Sequence, residues 1–562
     1  MNIKLNIKLN IKAFLIASTV ALSPSCSGTQ PSSGPDVSAD VQIVQVDALR
    51  KIFLEDSHWD EETEVWSYAK GEVAEFQFVV RCDSPVSDLK VETDGLMCGS
   101  SVIKPFRKAF ETYVVAGKHL EPAGSAAVFP ASDKYPDCLK EVASTKVAAS
   151  VNQPVWVSFS IPKDALAGRY EATLTFSGKV GDGTFSIERK LGADVRNVTL
   201  AEQELLVSNW HNHRFLSLLK NGSNVPMFSD SYWELLTIMT HTMRDSGQNV
   251  YYLDKLLDYV KCELNGDTWT FDFANFDKAV GIFMKEGNLK RIEGGHIAHR
   301  LGEWESAYGV YIPNRTDVVP LSSREAEIFL PQFSSALEKH LREKGWAGIY
   351  LQHIGDEPCD ANASTYVDVA RVFRQNAPSL RILDAVHSHA LADVVDVWCP
   401  ELDYFHSGYE FYKERQAAGD ELWFYTCMAP RGEYANRFLE LPLIHMRILH
   451  WLNYKYGATG YLHWGFNQDW TKTGQGIATD GYCPGGDTYI VYPAYKKVYS
   501  SIRLESMRDG INDYTLLTML GKKNPDKARE IVDAVVLGMD RYNLGIRFFR
   551  ETREKMLEAL EQ

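Results

Sequence analysis

The feature that most restricts the fold of this chain is a regular alternation of strand-like and helical segments after residue 200. Short apolar runs such as LLVSNW, NVYYL and GIYLQHIGDEP alternate with longer helical patterns such as SREAEIFLPQFSSALEKHLREKG. The predicted strands number eight and lie near residues 205, 249, 291, 350, 382, 403, 424 and 461. Eight successive β-α units predict a (β/α)8 barrel of the TIM type.

The region before residue 200 has a different rhythm. AEFQFVVRC, PVWVSFSIP and RYEATLTFSG are β-rich runs separated by Gly, Pro, Asp and Asn, and GKVGDGTF contains the Asp-Gly step of a tight hairpin. This pattern predicts an antiparallel β-sandwich. Cys82 and Cys98 could bridge neighbouring strands in an oxidising compartment or remain buried thiols, and the sequence leaves both alternatives open.

Together the patterns predict a multidomain α/β protein with a sandwich at residues 41–200, a catalytic barrel at 201–520 and C-terminal helices at 521–562. The first segment, MNIKLNIKLNIKAFLIASTVALSPSC, places lysines before a short apolar run, as a signal peptide at residues 1–26 does. Cys26 resembles the lipid-modified cysteine of bacterial lipoproteins, and residues 27–40 read as a flexible linker. We expect export to the periplasm or anchoring to the outer membrane, with membrane contact only through Cys26.

The charge balance argues against nucleic acid as a partner. The chain carries 59 Lys and Arg against 74 Asp and Glu, for a net charge of -15, and no basic stripe stands out after the leader. Aromatic residues make up 12% of the chain. That content fills a large core and also suits stacking on sugar rings.

Two adjacent carboxylates, Asp356 and Glu357, end the fourth predicted strand in GIYLQHIGDEPCD. In barrels of this kind the loops at the C-terminal ends of the strands build the active site. Neighbouring side chains of a strand point to opposite faces, so the two can share a pocket only if the chain leaves the ladder, which Gly355 and Pro358 favour. Alternatively, one of the carboxylates caps the next helix. The position beside aromatic residues of other strands favours catalysis.

Polar or aromatic side chains also mark the ends of most other predicted strands, and one common pocket explains them together. They are the predicted substrate-binding residues: Trp210, His211 and His213 after strand one, His296 after strand three, Asp384 and His387 after strand five, Tyr404 and His406 after strand six, Tyr425 after strand seven, and Trp464 and Asn467 after strand eight.

Adjacent carboxylates restrict the chemistry that this pocket performs. Glycoside cleavage needs one group to protonate the leaving oxygen and another to stabilise charge at the anomeric carbon. Neighbouring residues cannot straddle a sugar ring, but they suit the substrate-assisted variant in which the 2-acetamido oxygen attacks. Glu357 would be the acid and later the base, while Asp356 would accept the acetamido N–H and stabilise the oxazolinium charge.

The sequence resembles glycoside hydrolase family 123 from about residue 41 to its end. The resemblance is carried by GDEP, WFYTCMAPRGEYANRFLELPL, LHWLNYKYGATGYLHWGFNQDW, GGDTYIVYP and SIRLESMRDGINDY. It implies a retaining exo-β-N-acetylgalactosaminidase with the roles above for Asp356 and Glu357. The expected partner is a glycan or glycolipid with a terminal β-linked N-acetylhexosamine, and we expect no cofactor and no metal. HIGDE is also similar to the β-N-acetylhexosaminidases of family 20, whose later motifs do not match.

Two other functions are compatible with parts of the sequence. His211 and His213, in WHNH, have the two-residue spacing of side chains on one face of a strand. Together with His387, His406 and Asp469 they resemble the zinc ligands of the amidohydrolase superfamily. However, the fourth strand lacks the bridging lysine of that superfamily, and the carboxylate pair would have no role in it. The third alternative is a secreted barrel that binds glycans without cleaving them.

Overall fold

The structure is a computed structural model that describes residues 35–115, 134–468, 470 and 483–562. The predicted signal peptide, Cys26 and residues 27–34 of the predicted linker lie outside these residues. None of the helices within the described ranges combines the length and the apolar character that crossing a bilayer requires.

The N-terminal region forms two β-sheets. The first contains, in spatial order, Val41–Val46, Val73–Cys82, Gln153–Ser160, Arg107–Val115 and Lys134–Lys140, all antiparallel to their neighbours. The second contains Ser67–Lys70, Gly183–Thr199, Gly168–Val180, Val86–Glu92 and Thr145–Val147, and the hairpin Leu96–Cys98 and Ser101–Ile103 joins it through Gly168–Val180.

An apolar core lies between the two sheets. Alternate side chains of each strand point inward, so that Phe78 of the first sheet meets Phe176 of the second with ring centroids 5.4 Å apart. The predicted β-sandwich is therefore confirmed. Cys82 and Cys98 are both free thiols, and Cys82 is buried in this core.

Eight parallel strands then close into a barrel, as predicted. They are β1 Leu206–Asn209, β2 Val250–Leu253, β3 Arg291–Gly294, β4 Tyr350–Gln352, β5 Arg381–Val386, β6 Val397–Pro400, β7 Glu421–Tyr425 and β8 Gly460–His463. Each pairs with the next along the chain, and β8 pairs with β1. Inside the barrel, side chains such as Leu351, Leu383 and Trp423 form a packed core.

Helices cover the outside of the barrel and follow it. In the described residues they are α1 Asp230–Asp245, α2 Ala274–Glu286, α3 Arg324–Glu343, α4 Ala363–Asn376, α5 Leu402–Ser407, α6 Tyr409–Ala417, α7 Ile444–Tyr456, α8 Ile502–Lys523, α9 Pro525–Val535 and α10 Ile546–Glu561. Short 3-10 turns occupy Ser38–Asp40, His213–Lys220, Leu256–Tyr259 and Ala347–Ile349.

Further short strands form small separate sheets outside the sandwich and the barrel. Hairpins are formed by Lys261–Asn265 with Thr268–Asp272, Tyr492–Ala494 with Lys497–Tyr499, and Val536–Gly538 with Arg541–Tyr542. The insertion between β3 and α3 forms a three-stranded sheet of Ala298–Arg300, Tyr308–Tyr311 and Val318–Pro320.

The sixth strand differs from the prediction. We expected it near residue 403, but β6 ends at Pro400 and the chain turns into the helix α5 at Leu402. Proline has no N–H for the ladder, and after Pro400 a single bridge from Glu401 to Tyr425 of β7 continues the pairing. Tyr404 and His406 therefore lie on a short helix and not at the end of a strand.

Buried ion pairs join the sandwich to the barrel and the C-terminal helices. Arg503 of α8 donates two 2.8 Å hydrogen bonds to the carboxylate of Asp137, which lies in the first sheet. The same guanidinium donates to the carbonyl oxygens of Arg437, Gly486 and Tyr489, which satisfies its remaining hydrogens. Both charged side chains are completely buried, so their pairing fixes the position of the sandwich against the barrel.

We expect Asp137→Asn to lower the free energy of unfolding by about 3 kcal/mol, because it leaves the Arg503 guanidinium buried without its counter-charge. Urea denaturation measures the loss. The matched control is Asp267→Asn, which removes an exposed partner of Arg324 and should cost less than about 1 kcal/mol. If Asp137→Asn lowers the free energy of unfolding no more than the control does, the ion pair does not fix the sandwich against the barrel.

Candidate active site

The chain leaves the regular ladder four residues before the two carboxylates. β4 ends at Gln352, and Glu357 adopts a left-handed backbone with a φ of 47°. That conformation is uncommon for a residue other than glycine and is often found at functional sites. The helix α4 begins only at Ala363, after Asn362, so neither carboxylate caps it and the capping alternative is wrong.

The insertion after β3 holds this irregular backbone in place. The Tyr308 hydroxyl donates to the carbonyl oxygen of Asp356 at 2.5 Å, and Arg300 donates to the carbonyl oxygen of Glu357 at 2.8 Å. A Cβ at Gly355 would come within 2.4 Å of the Tyr308 ring. Gly355 is therefore needed for a close approach, whereas Glu357 itself carries the unusual backbone conformation.

The side chains of the two carboxylates have different surroundings. The side chain of Asp356 is 40% exposed, and its Oδ1 lies 3.8 Å from Nε2 of His296. The other ring nitrogen of His296 is 3.2 Å from the Tyr252 hydroxyl. Burial and the neighbouring charge of His353 lower the pKa of His296, so its imidazole is neutral.

Glu357 lies instead against Tyr425 of β7 and against His387, the residue directly after β5. The Tyr425 hydroxyl donates to its Oε1, and Nε2 of His387 is 3.9 Å from the same oxygen. Burial, followed by the charge of Asp356, raises the pKa of Glu357 to about 7, although His387 and the Tyr425 hydrogen bond act in the opposite direction. A carboxyl group with this pKa can hold and release a proton near neutral pH.

A further carboxylate, that of Glu401 directly after β6, lies on the Glu357 side. Oε2 of Glu401 lies 3.2 Å from Nε2 of His387, which is also 2.7 Å from the Tyr425 hydroxyl. Burial lowers the pKa of His387, but the interactions with Glu401 and Glu357 outweigh burial and raise it. The ring of Tyr404 stacks on His387 at a centroid distance of 4.3 Å.

Beneath the two carboxylates lie three completely buried charged residues, Glu293, His353 and Asp384, which form a row. Nε2 of His353 is 2.7 Å from Glu293 on β3, and its Nδ1 is 2.7 Å from Asp384 on β5. Burial alone would lower the pKa of His353, but its hydrogen bonds to Asp384 and Glu293 raise it to about 10. The ring is therefore an imidazolium that donates to both carboxylates.

The two carboxylates of this row also accept hydrogen bonds from the surrounding residues. Glu293 accepts hydrogen bonds from Ser208 at 2.5 Å and from the Trp210 indole at 2.8 Å. Asp384 accepts from the backbone N–H of Ile354 at 2.9 Å and from the Tyr366 hydroxyl. Asp384 is fully buried, so it positions the segment that leads to Asp356 rather than lining an open pocket.

The structure brings some of the other predicted residues to this region and not others. Trp210 stacks on Tyr252 at 4.3 Å, inside the barrel. The indole of Trp464 donates to Asp487 at 3.2 Å. Asn467 is buried and exchanges hydrogen bonds with the backbone of Asn212, which ties the end of β8 to the chain after β1.

The histidines after β1 lie apart from the carboxylates. His211 packs against Phe283 of α2, and His213 packs against Tyr232 and Tyr259 in the outer layer. The strand ends at Asn209, so the two-residue spacing does not place these rings on one face of β1. His406 is hydrogen-bonded to the Tyr434 hydroxyl at 2.9 Å, and within the described residues it forms no hydrogen bond or ion pair with either carboxylate.

Several residues of this site were not predicted from the sequence, namely Glu293, His353, Glu401, Tyr252, Tyr308 and Arg300. Two of them carried a usable signal. Glu293 in KRIEGG and His353 in IYLQHIG are ionisable residues within or directly after predicted barrel strands, where a buried charge must be paired.

The residues of the amidohydrolase alternative do not meet. Its described histidines form no metal-ligand group, and Asp469 lies outside the described residues. Among the described residues, only His296, His353 and Asp384 bring three potential ligand atoms within 4.8 Å of one another. His353 donates from both nitrogens, so it has no lone pair for a metal, and this set does not fit one.

We expect the His353 ring to carry protons on both nitrogens between about pH 6 and pH 8, because its pKa lies near 10. Nitrogen NMR of histidine-labelled protein measures this state, and His353→Gln assigns the signal. The control is His450, whose pKa burial lowers to about 4, so that its ring stays neutral. A neutral His353 ring at pH 8 would contradict the charged row.

Comparison with known proteins identifies the family to which this chain is similar. The family model described as "Glycoside hydrolase 123, catalytic domain" matches residues 216–520, and the one described as "Glycoside hydrolase 123 N-terminal domain" matches residues 51–178. No curated protein sequence matches it. The resemblance seen in the sequence motifs is thus confirmed.

One solved structure shares the fold over nearly the whole chain. A family 123 glycoside hydrolase from Clostridium perfringens, described in a study of glycolipid glycan hydrolysis, has a TM-score of 0.70 and 16% identity, over 93% of this chain and 97% of that chain. A GH39 enzyme from Xanthomonas axonopodis pv. citri has a TM-score of 0.37 and 11% identity, over 57% of this chain and 67% of that one. Because the catalytic-domain match alone spans more than half of the residues, the chain belongs to glycoside hydrolase family 123 and is an enzyme that acts on glycosides.

Proposed function

We propose that this protein is a retaining exo-glycosidase that removes terminal β-linked N-acetylgalactosamine from glycans or glycolipids by a substrate-assisted mechanism. The proposal rests on the different surroundings of the two adjacent carboxylates. Asp356 is partly exposed beside His296, whereas Glu357 is largely buried beside Tyr425 and His387. Neighbouring groups in such unequal surroundings suit two different roles in one reaction.

Asp356 is suited to work as a carboxylate on the acetamido group. It would accept the N–H of that group and orient its carbonyl oxygen toward the anomeric carbon. As the oxygen attacks, the oxazolinium ring gains positive charge, which the nearby carboxylate stabilises. Neutral His296, 3.8 Å away, adds no positive charge that would oppose this step.

Glu357 is suited to donate the proton to the leaving oxygen. Its raised pKa of about 7 keeps a useful fraction of the carboxyl group protonated near neutral pH. After the leaving group departs, the same side chain as a carboxylate would remove a proton from the water that opens the oxazolinium ring. Two inversions at one carbon give a product with retained configuration.

The choice of substrate rests on the family. The Clostridium perfringens protein is described in terms of glycolipid glycan hydrolysis, and we propose the same substrate class here. The leader-like segment before residue 27 supports the further proposal of an exported protein, periplasmic or anchored to the outer membrane through Cys26, where such glycans would be encountered.

The two roles predict different dependence on the leaving group. Glu357→Gln should slow the cleavage of substrates with poor leaving groups by about a hundredfold or more. Substrates whose aryl leaving group has a low pKa should be slowed far less, because their leaving oxygen departs without protonation. Asp356→Asn should slow both classes alike. The test is a kcat/KM series on aryl β-N-acetylgalactosaminides, with the product anomer followed by NMR. An inverted product, or a fully active Asp356→Asn enzyme, would overturn the mechanism.

Tyr425→Phe should move the alkaline limb of the kcat/KM profile upward by about one pH unit. The hydroxyl donates to Glu357 and lowers its pKa, so its removal raises that pKa and keeps the proton donor loaded to higher pH. Tyr259→Phe is the matched control, since it removes a buried hydroxyl that is hydrogen-bonded to the Tyr232 hydroxyl, away from Glu357. A downward shift, or an equal shift in the control, would contradict the assigned hydrogen bond.

A further inference from the structure

An exposed aromatic ring lies beside the proposed proton donor. Trp304, in the insertion between β3 and α3, is 47% exposed, an unusual state for so large an apolar side chain. Its ring centroid is 5.9 Å from that of His387, which contacts Glu357. The tryptophan therefore lies on the Glu357 side of the carboxylate pair and not on the Asp356 side.

Trp304 is held in place although it is exposed. The guanidinium of Arg300 lies 4.0 Å from the centre of its ring, and the same guanidinium donates to the carbonyl oxygen of Glu357. The carbonyl oxygen of Trp304 accepts a 3.0 Å hydrogen bond from Asn362. A ring fixed in this way loses little conformational freedom when a ligand binds to it.

A second aromatic ring of this region is exposed, and one buried nitrogen has no hydrogen-bond partner in the described residues. Tyr404 is 42% exposed and stacks on the same His387. Arg300 is 91% buried, since only 9% of it is exposed, and its Nε makes no hydrogen bond within the described part of the chain. Two exposed aromatic rings beside one proton donor offer apolar surfaces of the kind on which sugar rings stack.

The reaction determines which part of the substrate reaches this place. A proton donor must lie within hydrogen-bond reach of the leaving oxygen, so the departing group lies next to Glu357. The N-acetylated sugar that is cleaved must instead lie over both carboxylates. The space beside Glu357, Trp304 and Tyr404 is then the space of the leaving group.

We propose that Trp304 and Tyr404 form a binding site for the sugar that leaves, which is a hexopyranose linked to the terminal residue. The C–H face of such a ring would stack on the exposed indole, on the side of the ring that the Arg300 guanidinium does not cover. This inference rests on the proposed function, because it assigns the leaving-group side through the role of Glu357. It makes the enzyme selective for glycans over simple glycosides.

The test compares two donors with the same cleaved sugar. One is N-acetylgalactosamine β-linked to methyl β-galactoside, and the other is N-acetyl-β-galactosaminyl fluoride, whose fluoride fills no sugar site. Trp304→Ala should lower kcat/KM for the disaccharide about fivefold and leave the fluoride value within about twofold. Trp304→Phe keeps an aromatic face and should recover most of the loss. Tyr495→Ala, at a 61% exposed ring of a distant hairpin, should change neither value.

Other results would overturn the inference. Equal losses on both donors would mean that Trp304 acts only by positioning Glu357 through Arg300, and no loss on either would mean that the ring binds nothing. Wild-type protein that cleaves neither donor would overturn the proposed function instead. Saturation-transfer NMR with methyl β-galactoside decides the binding site independently of catalysis: transfer to wild type that Trp304→Ala abolishes supports the site, and its absence in wild type contradicts it.

Discussion

The site depends on one buried interaction, the imidazolium of His353 between the carboxylates of Glu293 and Asp384. Burying any of these charges alone would cost several kcal/mol, so each is stable only with the others in place. The three residues come from β3, from the segment after β4 and from β5. Their mutual requirement therefore fixes three neighbouring strands and the start of the irregular segment that ends in Asp356 and Glu357. Hydrogen bonds from Ser208, Trp210 and Tyr366 complete the row.

Above that row, a single backbone conformation gives two adjacent carboxylates different environments. The left-handed φ of Glu357 turns its side chain toward Tyr425 and His387, while Asp356 stays near His296 and solvent. Burial then raises the pKa of Glu357 to about 7, because its carboxylate has lost hydration. Residues from strands that are distant in sequence supply the contacts, and rigid strands hold them.

The architecture and the carboxylate pair could be predicted from the sequence, because strand periodicity and the position of GDEP after a buried strand are local signals. The supporting contacts could not. That Glu401 reaches His387 depends on how β5 and β6 lie side by side, which no local pattern specifies. The histidines after β1 misled the prediction for a related reason. Their spacing suggested a strand, but the strand had already ended at Asn209 and the rings turned to the outer layer.

The insertion after β3 has two tasks that cannot be separated. It exposes Trp304, and through Arg300 and Tyr308 it also holds the carbonyl groups of the two carboxylate residues. In many barrel enzymes a peripheral loop can be exchanged to alter substrate range without disturbing the chemistry. Here such an exchange would also release the backbone beneath the carboxylates. New substrate preferences in this protein should therefore arise through single substitutions on the existing insertion, and grafting a foreign loop should yield folded but inactive chimeras.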